Sequence, residues 1–221
     1  MDSTFEQARF NMVQQQIRPW GVTDDRVLEA MGAVARERFV PDAYQGLAYA
    51  DIEIPIGEGQ TMLPPKLVGR LLQASAVAPD ERVLEIGTGT GYATACLGRL
   101  GARVVSVELH PGLAQQAQAN LAALGIANAE VREGDALAGP VAGGPFSVIL
   151  VTGSLPDEEA LPALEGQLSV GGRLFVVVGT GAAMQALLLT RVSSGEYHRT
   201  ALFETSVPAL ENVPQPSRFV F

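Results

Sequence analysis

The sequence predicts an α/β protein: a doubly wound, mostly parallel seven-stranded sheet behind an N-terminal helical extension. Three observations carry that expectation. Short apolar runs alternate with helix-patterned stretches from Arg82 to Val178. The runs are rich in Val, Ile and Leu with little polar alternation, as parallel strands covered on both faces require. A glycine-rich turn, VLEIGTGTGYATA, follows the first run at once, where a strand gives way to a helix.

The first 45 residues read as helical. Phe5, Phe10 and Val13 can share one face, and Val27, Leu28, Met31 and Val34 repeat at helical spacing after a cap at Thr23-Asp24. From Ala48 to Pro65 the run AYADIEIPIGEGQTMLPP reads as a long loop holding one short strand, and such loops are commonly functional. Pro65 stands where a helix begins, ahead of Leu67, Val68, Leu71 and Leu72. Strands are expected at Arg82–Ile86, Arg103–Val107, Ala129–Arg132, Phe146–Val151 and Arg173–Val178. Helices are expected between them at Tyr92–Leu100, Leu113–Leu124 and Glu158–Leu168. Two more strands, near Ala186–Val192 and Ala201–Val207, complete the sheet, and the tail Pro208–Phe221 should be extended. The chain then reads as one domain: extension and cap loop over 1–60, core over 61–207, tail over 208–221.

Composition narrows the function. The 221 residues carry a formal net charge of −9 and no basic run, which argues against a partner recognised through its phosphate backbone. The longest apolar runs, Val148–Val151 and Leu174–Val178, are too short to cross a bilayer. The single cysteine, Cys96, rules out an intrachain disulfide and a cysteine-rich metal site, so no metal is expected. The polar start at Asp2 and Glu6 is unlike a secretory signal. A cytoplasmic location, without nucleic acid or membrane as partner, follows as an expectation.

The glycine turn carries the chemistry. Gly87, Gly89 and Gly91 permit a tight turn and close backbone approach to a ligand. The third glycine of a dinucleotide fingerprint would fall at Tyr92, so a nicotinamide cofactor fits poorly, and no phosphate-binding G-x-x-x-x-G-K-[ST] is present. Glu108 closes the second strand, where a carboxylate can accept from a ribose diol. It can equally cap the helix starting near Pro111. Gly134-Asp135-Ala136 closes the third strand. Asp135 can accept from an adenine amine while the Ala136 N–H faces a ring nitrogen, or it can be a plain turn residue. Glycine turn, ribose acid and adenine acid at successive strand ends describe a nucleoside site with no phosphate requirement, which S-adenosylmethionine fits. The expected donor contacts are Gly87, Thr88, Gly89, Gly91, Tyr92, Glu108, Leu109, Asp135 and Ala136, with Glu85 behind the turn as the acceptor that organises it. His110 and His198 read as surface residues, Cys96 as core, and Trp20 as packing.

In this Rossmann-like frame the residues resemble a known family, the protein-L-isoaspartate O-methyltransferases. MVQQQI at Met12–Ile17, VLEAM at Val27–Met31, RERFVP at Arg36–Pro41 and AYAD at Ala48–Asp51 look like its N-terminal helical region. IPIGEGQT at Ile54–Thr61 looks like its loop over the methyl donor, and VLEIGTGTGYATA, VVSVE and PFSVILVTG follow in the family order. The resemblance implies donor binding by Gly87, Gly89, Glu108 and Asp135, with Gln60 and Thr61 bordering the donor's methionine end and the acceptor. It implies methylation of the free carboxylate of isoaspartyl residues in polypeptides. Departures fall on the acceptor side: Leu63 replaces the family serine, VTGSLPDEE replaces a small-residue run, Ala136 replaces a glycine, and the ending PQPSRFVF differs. Two other readings stay open, a methyltransferase for another, small-molecule acceptor and a donor-binding regulatory protein without catalysis.

Overall fold

The computed structural model describes residues 2–181 and 183–213. The N-terminal region is helical as expected. Helix α1 (Asp2–Asn11) runs into a π-helical turn, Met12–Ile17, and α2 (Asp25–Ala33) follows. Asp24 caps α2, its side chain accepting from the Arg26 N–H; a short polar side chain there satisfies a free helix-end donor. Gln73 of α3 (Pro65–Ser75) fastens the extension to the core, accepting from the Thr23 and Asp24 N–H groups and donating to the Gly21 carbonyl.

Two expectations for this region change. Val13 is buried, but Phe10 on the same stretch is 58% exposed, so the supposed apolar face holds only in part. Trp20 is neither buried packing nor part of the cleft wall described below. It is 53% exposed and lies beneath the Lys66 ammonium, 4.2 Å from the ring centre.

The run after Ala48 holds two strands rather than one, β1 (Ile54–Gly57) and β2 (Gln60–Met62), paired antiparallel. Gly57, Glu58 and Gly59 all take positive φ at the turn, which closes the hairpin tightly. An extension ending at residue 60 would therefore be cut inside β2.

The main sheet comprises β3 (Arg82–Ile86), β4 (Arg103–Glu108), β5 (Ala129–Glu133), β6 (Phe146–Leu155), β7 (Leu168–Thr180), β8 (Ala183–Ser193) and β9 (Glu196–Thr205). Its order is β5-β4-β3-β6-β7-β8-β9, parallel through β7 and antiparallel for the last two pairs. Helices α4 (Tyr92–Arg99), α5 (Pro111–Ala123) and α6 (Leu161–Glu165) connect the parallel strands. The helix expected over Glu158–Leu168 shrinks to α6 because β7 already begins at Leu168. Of the expected extended tail, residues 214–221 lie outside the described residues.

Two apolar cores show why the strand runs lack polar alternation. Val83, Val148, Leu150, Phe175 and Val177 pack on one face with α3, α4 and α5. Their neighbours Leu84, Ile149, Val151, Leu174 and Val176 pack on the other with α6. Both faces are covered, so most positions along these strands are apolar, with Glu85 and Ser106 among the buried polar exceptions. The strand order reverses direction between β3 and β6, and the crevice at the carboxyl ends there is where ligands bind in such sheets.

Candidate functional site

The turn after β3 is built around glycines whose replacement would be strained. Gly87 and Gly91 take φ of 91°, and Gly89 takes 56°. A Cβ on Gly87 would lie 2.5 Å from the Thr152 hydroxyl of β6, and one on Gly91 would lie 3.2 Å from Ala117 of α5. The turn is thus held tightly against both neighbours.

Glu108 secures it from β4. The carboxylate is 4% exposed. One oxygen accepts from the Gly89 N–H at 2.8 Å and the other from the His110 N–H at 3.0 Å. The capping contact is present, since Glu108 satisfies the start of α5; the residue also buttresses the glycine turn and faces the cleft. Each carboxylate oxygen keeps a lone pair for a ligand.

Beneath the turn lies a buried polar chain. Thr94 and Ser106 donate to the same Glu85 oxygen at 2.5 and 2.6 Å, and the Thr88 hydroxyl meets that of Ser106 at 2.6 Å. Burial pushes the Glu85 carboxyl up to about 7, against the pull of the two hydroxyl donors.

Asp135 follows β5. One of its oxygens accepts from the Leu137 N–H at 2.8 Å and the other from the Asn212 amide at 3.2 Å. Asn212 belongs to a strap, Val207–Val213, that crosses the crevice. Pro208 and Leu210 bond the backbone of Ser154, and Ala209 bridges to the same residue in parallel. Glu211 accepts from the Gln60 amide at 2.6 Å and lies 3.2 Å from the His110 ring. The strap thus joins the hairpin, the end of β4 and the end of β5.

These elements enclose a cleft of about 750 Å³, part of it open to solvent. Gln60, Thr61, Gly87, Gly89, Glu108, Leu109, Asp135 and Ala136 all line it. Its described lining includes Glu108, Asp135 and Glu211 but no Lys or Arg. Such a wall repels a pyrophosphate and suits a nucleoside carrying positive charge. S-adenosylmethionine fits that charge.

A second cleft, about 380 Å³, adjoins the first. The two share Ile56, Thr61, Leu63, Gly87, Gly89 and Thr152. Its further wall is Met62, Val68, Thr88, Thr90, Tyr92 and Ala93. Thr88 and Tyr92, expected at the donor, stand instead on this side. Glu85 and Gly91 line neither cleft: the first is sealed beneath the turn, the second is packed on α5.

Several lining residues escaped the sequence reading, Thr152, His110, Leu210 and Glu211 among them. Thr152 belongs to the quoted PFSVILVTG run, yet only the β3–β6 pairing reveals that it faces Gly87. His110 was read as a surface residue and in fact lines the cleft at its junction with the strap. Leu210 left no local signal at all.

The sequence profile described as "Protein-L-isoaspartate(D-aspartate) O-methyltransferase (PCMT)" matches residues 7–211. The chain belongs to this family. A family relative from Koribacter versatilis, named protein-L-isoaspartate O-methyltransferase, is 43% identical over 205 residues, covering 92% of this chain and 91% of its own. Another of that name, from Methylorubrum populi, is 46% identical over 185 residues, covering 83% and 85%. A solved protein-L-isoaspartate O-methyltransferase superposes with a TM-score of 0.80 at 26% identity, over 92% of this chain and 66% of that longer one. A Plasmodium falciparum protein solved with S-adenosyl-L-homocysteine gives 0.77 at 20% identity, covering 94% and 98%, and speaks for the fold. The family is one of S-adenosylmethionine-dependent methyltransferases, in keeping with a donor cleft free of cationic side chains. Among the described residues no cluster could hold a metal ion, and no helix is long and apolar enough to cross a membrane.

Proposed function

We propose that this chain methylates the free α-carboxylate of isoaspartyl residues in damaged polypeptides, acting in the cytoplasm without nucleic acid or membrane as partner. The observation that carries the reading is the meeting of two clefts at Thr61, Gly89 and Thr152. One has the acidic lining of a nucleoside site, and the other is a mostly apolar recess beneath the hairpin. When bound, S-adenosylmethionine supplies an electrophilic sulfonium methyl group. Glu108 would accept from the ribose hydroxyls, and Asp135 with the Ala136 N–H would meet the adenine edge. Thr61, which lines both clefts, would align the acceptor carboxylate, while Gln60 lines the first cleft alone.

A carboxylate is already ionised at neutral pH, so the chain has no proton to remove. Its residues need only hold the acceptor in line and keep water out, and such positioning alone is worth several kcal/mol. Ile56, Met62 and Leu63 supply the dry wall. The test is transfer of labelled methyl groups to an isoaspartyl peptide beside its aspartyl twin. Base-labile ester on the first and none on the second is the expected result. A second reading, a different small-molecule acceptor, is favoured by Leu63, which offers no side-chain donor to a carboxylate. Base-stable label, or label on a small molecule alone, would move the assignment there.

A further inference from the structure

Arg36 carries a charge whose place in the fold is not explained by structure alone. It comes from the turn Arg36–Phe39 and is fully buried. Its Nε donates to the Ala48 carbonyl and its Nη2 to the Leu63 carbonyl, each at 2.7 Å. Its Nη1 has no hydrogen-bond partner among the described residues. The guanidinium lies 4.6 Å from the centre of the Tyr92 ring. Every one of these partners is neutral. Burying a cation without a carboxylate is costly, and the two carbonyl bonds would be served by an uncharged donor. Of the residues Arg36 touches, Leu63 and Tyr92 line the second cleft and Ala48 does not.

We propose that Arg36 is a specificity-determining positioning residue: it fixes the acceptor loop at the Leu63 carbonyl, and its unneutralised charge makes the second cleft select an anionic acceptor. This rests on the reading of that cleft as the acceptor side. Arg36 acts from behind the wall and does not itself touch the reacting atoms. The field it sets favours a carboxylate entering and not a neutral ester leaving, so capture and release are both assisted. It also gives an otherwise apolar recess the means to hold a charged substrate despite Leu63.

The experiment compares Arg36→Gln, which keeps a donor and loses the charge, with Arg36→Lys, which keeps the charge and loses the fork. Arg36→Gln should raise KM for an isoaspartyl peptide about tenfold, the order expected of one unit charge acting through protein. Its kcat and its affinity for S-adenosyl-L-homocysteine should change little, and Arg36→Lys should restore much of the KM. Equal KM in the wild type and Arg36→Gln, or no recovery with lysine, would reduce Arg36 to a structural tie. Should neither variant fold, the wild type still decides. The isoaspartyl peptide and its α-carboxamide are compared as ligands of the donor-free enzyme, and equal affinity overturns the proposal. Failure of the parent reading looks different: a wild type that binds S-adenosyl-L-homocysteine yet methylates no isoaspartyl peptide.

Discussion

Glu108 serves the glycine turn with one oxygen and the start of α5 with the other, and both face the donor cleft. Replacing it by alanine removes a charged acceptor, a loss of about 1–3 kcal/mol. Calorimetry with S-adenosyl-L-homocysteine should show affinity weakened to match; an unchanged constant would take Glu108 out of the donor site. Leu63 contributes its carbonyl to Arg36 while its side chain faces both clefts. Leu63→Ser should raise turnover on isoaspartyl peptides at constant donor affinity, up to about tenfold if the new hydroxyl bonds the acceptor in the transition state. A slower variant would mean that the leucine belongs to an apolar acceptor pocket. Glu85 makes a prediction about pH. Its carboxyl titrates at about 7 when folded, against an ordinary 4.5. Between those values the folded protein holds a proton that the unfolded chain has released. This group therefore favours folding fully below the lower value, loses that contribution as pH rises to the upper one, and adds no further slope above it. Glu85→Gln should flatten the urea stability profile across this interval. An identical slope in the variant would mean that Glu85 does not titrate there.

At the level of elements, the strap Val207–Val213 is the feature with most bearing on the donor. Glu211 and Asn212 hold it to Gln60, His110 and Asp135. Glu211→Ala should speed release of S-adenosyl-L-homocysteine by about 3–10-fold, the worth of one or two partly exposed hydrogen bonds. Stopped-flow displacement measures it, and an unchanged off-rate would leave the strap as static packing. The strap also marks the limit of sequence reading. β3, β4 and the middles of β6 and β7 were legible as short apolar runs, and Glu108 and Asp135 stood out as candidates because each stands at a strand end. The strap was not legible, because its conformation depends on Ser154, some fifty positions earlier. The β1–β2 pairing was half legible: Gly and Pro announced a loop, but the turn that closes it includes Glu58 at positive φ, a residue with no preference for that region. Thr88 and Tyr92 line the second cleft rather than the first, since the turn winds between the two and only its fold assigns each residue a face.

Across the whole molecule, one side chain fastens three distant segments. Arg173 of β7 donates to the Ser75 and Ala76 carbonyls at the end of α3 and to both oxygens of Glu81 before β3. Burial raises the Glu81 carboxyl, but the Arg173 hydrogen bonds, the Ala78 N–H and the Arg173 charge together outweigh it and the net shift is downward. Arg173→Met should cost about 2–4 kcal/mol in chemical denaturation by leaving those acceptors unpaired. It should spare donor affinity, because the cluster lies at the far end of the strands from the cleft. A weakened donor with intact stability would contradict both halves of that expectation.

The chain has a single thiol, Cys96, sealed in the core beside Tyr92 and pushed up to about 12 by burial. Almost none of it is thiolate at neutral pH, so a maleimide finds nothing to react with in the folded protein. A cysteine placed at exposed Ala209 would take the dye alone. The strap can then carry one environment-sensitive fluorophore in an otherwise native background, and the response around it to S-adenosyl-L-homocysteine can be followed in real time without first removing a competing sulfur.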